Sequence, residues 1–286
     1  MEHQDIMSRI DEKFDSMSKG QKRIARYILE SYDKAAFMTA LKLGDKVGVS
    51  ESTVVRFANL LGYDGYPRLQ KALQEMIRNK LTSVQRIEMT TDMNQSKILG
   101  NVLKADMQNI RMTIDEIDED VFSRCVEEIL KARRVYILGV RSSEPLAEFL
   151  SHYMNYIIDN VQLVGLGVND VYEHFIRLTP EDVCIGISFP RYSNRTVGGM
   201  RYAREKGAKV IVITDSKNSP VAEYADYSLI ARSNMASFVD SLVAPLSVIN
   251  ALLVALGNQR KEEVSASFSQ LETLWRLHSV YSSTNK

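Results

Sequence analysis

The spacing of the apolar residues changes once along the chain, near residue 135, and that change restricts the folds open to it. Upstream, apolar residues recur three and four apart, as in Ile24, Tyr27 and Ile28 and again in Val54, Phe57 and Leu61. That is the period of one helix face, and no strand-like alternation appears before Val135. Downstream, short runs rich in β-branched residues, at 135–138, 161–164, 183–187, 210–213 and 227–230, alternate with helical stretches. Five runs, most of them apolar on both faces and separated by helices, predict a parallel sheet covered on both sides. The fold class expected is an all-α N-terminal domain followed by an α/β domain with a five-stranded parallel sheet.

At 286 residues the chain is long enough for two domains with separate cores. Residues 81–96, rich in Thr, Ser, Asn, Gln and Met without clear period, read as a linker between a domain over 1–80 and another over 97–286. In the second domain the spacing predicts helices over 97–117, 120–132, 145–160, 196–206, 238–256 and 261–280, with a short one near 220–224. A Ser/Asn tail at 282–285 is expected to fray. Formal net charge is zero, but residues 1–80 carry 14 Lys and Arg against 11 Asp and Glu. This asymmetry permits an anionic partner for the first domain without requiring one.

The N-terminus lacks the charged segment and apolar stretch of a secretory leader. The longest apolar run, 242–256, is 15 residues and contains Pro245, Ser247 and Asn250. A bilayer-spanning helix needs about 20, so a buried helix and a cytoplasmic protein are expected. Cys125 and Cys184 stand far apart without a CxxC partner and read as reduced, buried thiols. No metal or cofactor site is expected.

Residues 38–57 meet the demands of a helix-turn-helix one by one. Gly44 is small where the first helix must approach the second, and Gly48 sits where the turn needs positive φ. Ser50 is placed to cap the second helix, and Leu43, Val47, Val49, Val54 and Phe57 supply a shared core. Exposed on that helix remain Ser50, Glu51, Ser52, Thr53, Arg56 and Asn59, clustered toward the end that enters a major groove. Arg and Asn suit guanine and adenine edges. An αα-hairpin used for packing or dimerisation would share part of this pattern.

The surrounding segments narrow the choice. Residues 16–30, the stretch ending Thr53-Val54-Val55-Arg56-Phe57, and the tail Leu61-Gly62-Tyr63-Asp64-Gly65-Tyr66-Pro67 together resemble the N-terminal domain of the RpiR/MurR family of regulators. The resemblance covers nearly all of residues 10–77 and implies a winged-helix-like, DNA-binding role. It points to Lys46, Ser50, Ser52, Thr53, Arg56 and Tyr66, with Lys46 and Tyr66 assigned to phosphates rather than bases.

In the second domain the informative loops follow the first and third strands. Residues 139–145, Gly-Val-Arg-Ser-Ser-Glu-Pro, and 188–196, Ser-Phe-Pro-Arg-Tyr-Ser-Asn-Arg-Thr, each lead from a strand end into a helix. Such loops gather free N–H groups, hydroxyls and a positive helix end, which suits phosphate. Both lie where open α/β sheets place ligands. In this order they resemble the sugar isomerase (SIS) domain, whose loops run Gly-x-Gly-x-Ser and Ser-x-Ser-Gly-x-Thr. Gly139 and Ser143, with Ser142 adjacent, match the first; Ser188, Ser193 and Thr196 match the second. Residues 204–226 extend the likeness, which runs from roughly 120 to 256.

Two departures stand out. Arg141 replaces the second glycine of the first loop, and is expected to keep the backbone farther from a ligand. The second loop carries the extra residues Pro190-Arg191-Tyr192, with Asn194 in place of glycine. Arg141, Arg191 and Arg195 thus crowd the predicted site, and their forks suit phosphate or carboxylate, unless they serve an interdomain salt bridge.

The order of domains implies a DNA-binding regulator of carbohydrate-metabolism genes. A phosphorylated sugar or sugar acid would be its effector, and a homodimer or homotetramer its working form, with 238–256 and the last helix as candidate subunit contacts. The alternative is a sugar-phosphate isomerase. That chemistry needs a base near neutral pKa, for which Glu144, Glu148, His152, Glu173 and His174 are the raw material. Their spacing forms no constellation, and a fused helix-turn-helix favours sensing over turnover.

Overall fold

A computed structural model of the chain describes residues 6–78, 83–88, 95–165, 170–235 and 238–281. The chain divides into two compact units between Met89 and Thr90.

The first unit is helical. Helices α1 (Ile6–Lys13), α2 (Lys19–Glu30), α3 (Tyr32–Ala35), α4 (Ala40–Val47), α5 (Glu51–Leu60), α6 (Gly65–Arg78) and α7 (Ser83–Glu88) follow one another. Ile10, Ile24, Ile28, Leu43, Val54, Phe57, Leu69 and Leu73 form its interior. Helix α2 opens with a reciprocal capping box, in which the Ser18 and Gln21 side chains accept each other's backbone N–H. Between α4 and α5 the chain turns at Gly48, φ +69°. A Cβ on Gly44 would stand 2.7 Å from the Val49 carbonyl oxygen, so glycine there lets α4 meet the turn. At the far end of α5, Arg9 donates to the Leu61 carbonyl at 3.1 Å and Lys13 to the Leu60 carbonyl at 2.5 Å. Cations thereby hold the carbonyl end of the helix.

Among the described residues this unit has no strand, which corrects the winged-helix-like expectation. The reason is local. The Asn59 side chain accepts the Gly65 N–H at 3.0 Å and returns the chain directly to helix at α6. Of the stretch 81–96, the described part holds α7 and the start of a 3₁₀ turn over Gln95–Lys97.

The second unit is built on strands β1 (Val135–Gly139), β2 (Val161–Val164), β3 (Val183–Ile187), β4 (Lys209–Thr214) and β5 (Tyr227–Ile230). All pairs are parallel, in the order β2-β1-β3-β4-β5. The strands are apolar on both faces because both faces are covered. Ile137, Ile185, Ile211 and Ile213 pack toward α9 (Glu119–Lys131), α10 (Glu144–Met154) and α13 (Val243–Gln259). Tyr136, Leu138, Val210 and Val212 pack toward α11 (Val171–His174) and α12 (Asn194–Glu205). Helices α8 (Ile98–Glu116) and α14 (Lys261–Leu277) complete the unit.

Two helix boundaries differ from expectation by five or six residues. Helix α10 stops at Met154 rather than 160, where the Asn155 amide donates to the Ser151 carbonyl at 2.7 Å and the chain turns toward β2. Helix α13 begins at Val243 rather than 238, since the Ser241 hydroxyl takes the Val243 N–H at 3.4 Å and itself donates to Asp106 at 2.6 Å. The expected tail at 282–285 lies outside the described residues. Cys125 and Cys184 are buried and unbridged, and burial pushes both thiols up, Cys125 to about 12. Among the described residues no helix is long and apolar enough to cross a membrane.

The close approach at Gly44 yields a stability test. Gly44→Ala drives a Cβ against the Val49 carbonyl, and urea titration should show a loss of about 1–3 kcal/mol, the usual penalty for overpacking.

Candidate functional sites

On the first unit, the N-terminal ends of α2 and α5 open onto one surface hollow, lined by Ser18, Gly20, Gln21, Arg23, Val49, Ser50, Thr53 and Arg56. Each helix end carries a partial positive charge, which at α5 is offset in part by Glu51 in the first turn. Helix α2 has no acidic residue in its first turn to offset this. Arg23, exposed, donates to the Gly48 carbonyl at 2.8 Å and so ties α2 to the α4–α5 turn. Arg56 is steadied along its own helix, its Nε donating to the Ser52 carbonyl at 3.2 Å and an Nη to Thr53 Oγ1 at 3.4 Å. The guanidinium is thus partly ordered before any ligand arrives.

Ser50 and Arg56 are exposed in this hollow and Thr53 is half-buried beside them, while Lys46 and Ser52, also exposed, do not line it. Ser50 stands at the N-cap of α5, yet its hydroxyl is not the backbone cap expected of it. It lies 2.9 Å from the hydroxyls of both Ser52 and Thr53. Tyr66 needs correction. It is buried, its hydroxyl donates to the Met38 carbonyl at 2.7 Å, and desolvation pushes its pKa up to about 12. It braces the segment before α4 and is not available to a phosphate. Asn59 is likewise engaged by the Gly65 N–H. Gln21 is marked in the sequence by the Ser18-x-x-Gln21 capping pattern, which places the α2 N-terminus but does not say what lies opposite it, and Arg23 carries no such signal.

On the second unit, β1 and β3 are neighbours and pair to their last residues, Gly139 opposite Ile187. The chain leaves β1 for a helix on one face, α10, and leaves β3 for a helix on the other, α12. The loops after β1 and β3 therefore part from adjacent strand ends and leave a crevice between them, the usual ligand position in open α/β sheets. Gly139 is required for close approach, since a Cβ there would lie 2.8 Å from the Ser143 carbonyl oxygen. Arg141 takes φ +60°. That is the left-handed backbone for which glycine is the usual residue. Arg191 also lies at positive φ, +65°.

Ser143 and Ser188 are buried at the two loop bases, while Ser142, Arg141, Arg191 and Arg195 are exposed and Ser193 is half-buried. The Ser193 hydroxyl caps α12, accepting the Arg195 N–H at 3.3 Å. Thr196, in the first turn of α12, is fully buried and its hydroxyl has no hydrogen-bond partner among the described residues. A buried hydroxyl left unpaired costs about 1–3 kcal/mol, which makes it the feature here that most calls for a ligand. The Tyr192 hydroxyl donates to Asp215, just beyond β4, at 2.8 Å. The three inserted residues thereby dock onto the neighbouring strand end. Asp215 was visible in the sequence only as part of the family pattern.

The residues considered for isomerase chemistry are dispersed. His152 is exposed two turns along α10 among Tyr153 and Tyr156, and His174 Nδ1 lies 3.2 Å from the Gln162 side-chain amide. Of the group, Glu144 alone stands at the crevice, in the first turn of α10. Among the described residues no group of three or more His, Cys, Asp or Glu side chains could hold a metal ion.

Comparison with known proteins agrees with both units. Residues 4–80 match the helix-turn-helix domain of the rpiR family, and residues 128–255 match the SIS domain. An HTH-type transcriptional regulator of Haemophilus influenzae is 29% identical over 273 residues, covering 93% of this chain and 94% of the relative. The sugar isomerase domain of an RpiR transcription factor from Sphaerobacter thermophilus superposes with a TM-score of 0.60 at 27% identity, over 62% of this chain and 99% of that one. The NanR protein of Vibrio vulnificus, solved in complex with ManNAc-6P, shares the fold with a TM-score of 0.58 at 20% identity, over 95% of this chain and 98% of its own.

The unpaired Thr196 hydroxyl can be separated from the neighbouring cap by stability alone. In the ligand-free protein Thr196→Val should be neutral or stabilising, because an apolar isostere removes an unmet hydrogen bond. Ser193→Ala, which removes the α12 cap, should cost about 1 kcal/mol. Calorimetric unfolding of the two variants checks the contrast.

Proposed function

We propose that this chain, which carries an rpiR-family helix-turn-helix domain followed by a SIS domain, is a cytoplasmic transcription regulator of carbohydrate-metabolism genes. In this reading α5 enters the major groove of operator DNA, and a phosphorylated sugar in the crevice between β1 and β3 controls that binding. The observation that carries the sensing half is the buried, unpaired Thr196 hydroxyl at the start of α12, beside the two strand-end loops. A phosphate seated there would accept from Thr196 and from the hydroxyls of Ser142, Ser143, Ser188 and Ser193. The amino ends of α10 and α12 would add N–H groups and dipole. That NanR of Vibrio vulnificus, a protein of this fold, was solved with ManNAc-6P is in keeping with this reading.

Arg141, Arg191 and Arg195 add positive charge around the crevice. Guanidinium forks favour a ligand with a second anionic group, so the effector proposed is a sugar phosphate that also carries an acid. On the DNA side, Arg56 reads a base edge from the N-terminal part of α5, with Ser50, Ser52 and Thr53 beside it, and Lys46 contacts phosphate. The working form is a homodimer or homotetramer that presents recognition helices to half-sites about 34 Å apart. Coupling between the two sites is expected to be about 1–3 kcal/mol, or roughly 5–150-fold in operator affinity.

Two experiments test this. In the first, the full-length protein is heated with a panel of phosphorylated sugars, amino sugars and sugar acids. A true effector at a hundred times its Kd adds about 2.7 kcal/mol of stability, and Thr196→Val should abolish the shift. Arg141→Ala should narrow the preference for acid-bearing members. A panel that moves no melting temperature sinks the sensing half. In the second, operator duplexes are selected from a random pool and binding is titrated against salt. Arg56→Ala should lose about 1–3 kcal/mol and relax selectivity at one base position, whereas Lys46→Ala should lower the salt slope by about one.

A further inference from the structure

The turn over residues 188–192, which holds the three residues inserted relative to the SIS pattern, is fastened twice to the neighbouring strand. At its start the Ser188 N–H donates to the Ile213 carbonyl at 3.2 Å, just beyond the register pair Ile187 and Ile213. At its end the Tyr192 hydroxyl donates to the Asp215 carboxylate at 2.8 Å. Asp215 follows Thr214, the last residue of β4, and both are buried. The Thr214 hydroxyl lies 3.5 Å from the same carboxylate oxygen. Between the two fastenings Phe189 is buried in the core on the α10 face, and Pro190 after it is buried as well. Of the five residues only Arg191 is exposed.

The Arg191 backbone stands at φ +65°, in the left-handed region that residues with a side chain seldom adopt. Such a conformation persists where the surroundings over-determine it, and it recurs at ligand clamps. Here the surroundings are the two bonds to β4 and the buried pair Phe189 and Pro190. Past the turn a different set of contacts takes over. Ser193 caps α12 and Thr196 is buried within that helix. The seat proposed for the phosphate is therefore built independently of how the turn is held. The turn still borders the same crevice, since it runs from Ser188 at the base of one loop to Ser193 at the start of α12.

We propose that Tyr192, through its bond to Asp215, is the positioning residue behind the crevice's preference for a second anionic group. The inference rests on the phosphosugar reading above and deepens it. An arginine on a loose three-residue insertion would have to be ordered by its ligand, and that ordering subtracts from affinity. With both ends of the turn fixed to β4, Arg191 is set beside the crevice before a ligand arrives. Its guanidinium can then meet a carboxylate with two parallel hydrogen bonds. The Asp215 carboxylate is 5% exposed and accepts from the Tyr192 hydroxyl, which keeps it out of contact with an anion. Tyr192 touches no ligand in this scheme and acts only by holding the turn.

The test is calorimetric titration of the full-length protein with matched probes, glucose 6-phosphate with 6-phosphogluconate and ribose 5-phosphate with 5-phosphoribonate. Within each pair the acid carries a carboxylate where the sugar carries its aldehyde carbon. The wild type should bind the acid of at least one pair more tightly. Tyr192→Phe should lower that preference about 3–10-fold, the cost of ordering one arginine on binding, and leave the aldose phosphate within about twofold. Arg191→Ala should lower the preference further. The double variant should match Arg191→Ala alone, because a residue that acts through another adds nothing once that one is gone. In the ligand-free protein, trypsin should cut after Arg191 faster in Tyr192→Phe than in the wild type, as expected of a turn released at one end. The inference fails, and the phosphosugar reading stands, if Tyr192→Phe leaves the preference intact, weakens both members of a pair alike, or adds its full effect to that of Arg191→Ala. Unchanged tryptic cleavage overturns it too, since the bond then does not hold the turn. A wild type that binds phosphosugars without favouring either acid has the same meaning, whereas one indifferent to the whole phosphosugar panel overturns both.

Discussion

The reversal of winding between β1 and β3 governs the second unit. A parallel sheet buried on both faces must send its crossover helices to both sides, and at one place in the strand order the direction of crossing changes. Here that place is the centre of the sheet, where β1 leads to α10 on one face and β3 leads to α12 on the other. The two loops cannot close over each other, so the strand ends between them stay open. Every polar feature of the candidate site follows from that geometry. The serines at the loop bases, the cap of α12 and the unpaired Thr196 hydroxyl meet there because the sheet brings adjacent strand ends together and the helices diverge.

A similar economy operates in the first unit. The missing side chain at Gly44 lets α4 lie against the turn before α5, and Gly48 supplies the left-handed residue the turn demands. Those two positions set the angle of α5. The Arg23 bond to the Gly48 carbonyl then draws the amino end of α2 to the same surface. Both helix ends carry partial positive charge on that surface, offset in part by Glu51 in the first turn of α5. Arg56, held along its own helix, needs less ordering on contact than a free arginine would.

Much of this was legible in the residues. The strands were readable because a strand buried on both faces must be apolar at consecutive positions, and runs of four to six residues rich in apolar and β-branched side chains between turn signals leave few alternatives. The α4–α5 turn was readable because glycine is the residue that meets positive φ and a close backbone contact without strain. Helix ends were less so. Met154 and Val243 are set by side chains such as Asn155 and Ser241, which look the same in sequence whether or not they cap. The role of Tyr66 was misjudged because an aromatic hydroxyl near a recognition helix suits a phosphate and a buried carbonyl equally well.

What the sequence determined by itself was the succession of elements, the helix-turn-helix, and the two loops whose chemistry suits an anion, since these depend on local period and backbone preference. The tertiary structure decided which of those polar groups are already used. It committed Tyr66 inward, left the Thr196 hydroxyl without a partner among the described residues, and put a left-handed backbone at Arg141 under a cationic side chain. It also decided which side of α8 faces the unit. That could not be read from a helix whose buried face is polar, because the partners of Asn109 and Thr113 are backbone groups more than a hundred residues away.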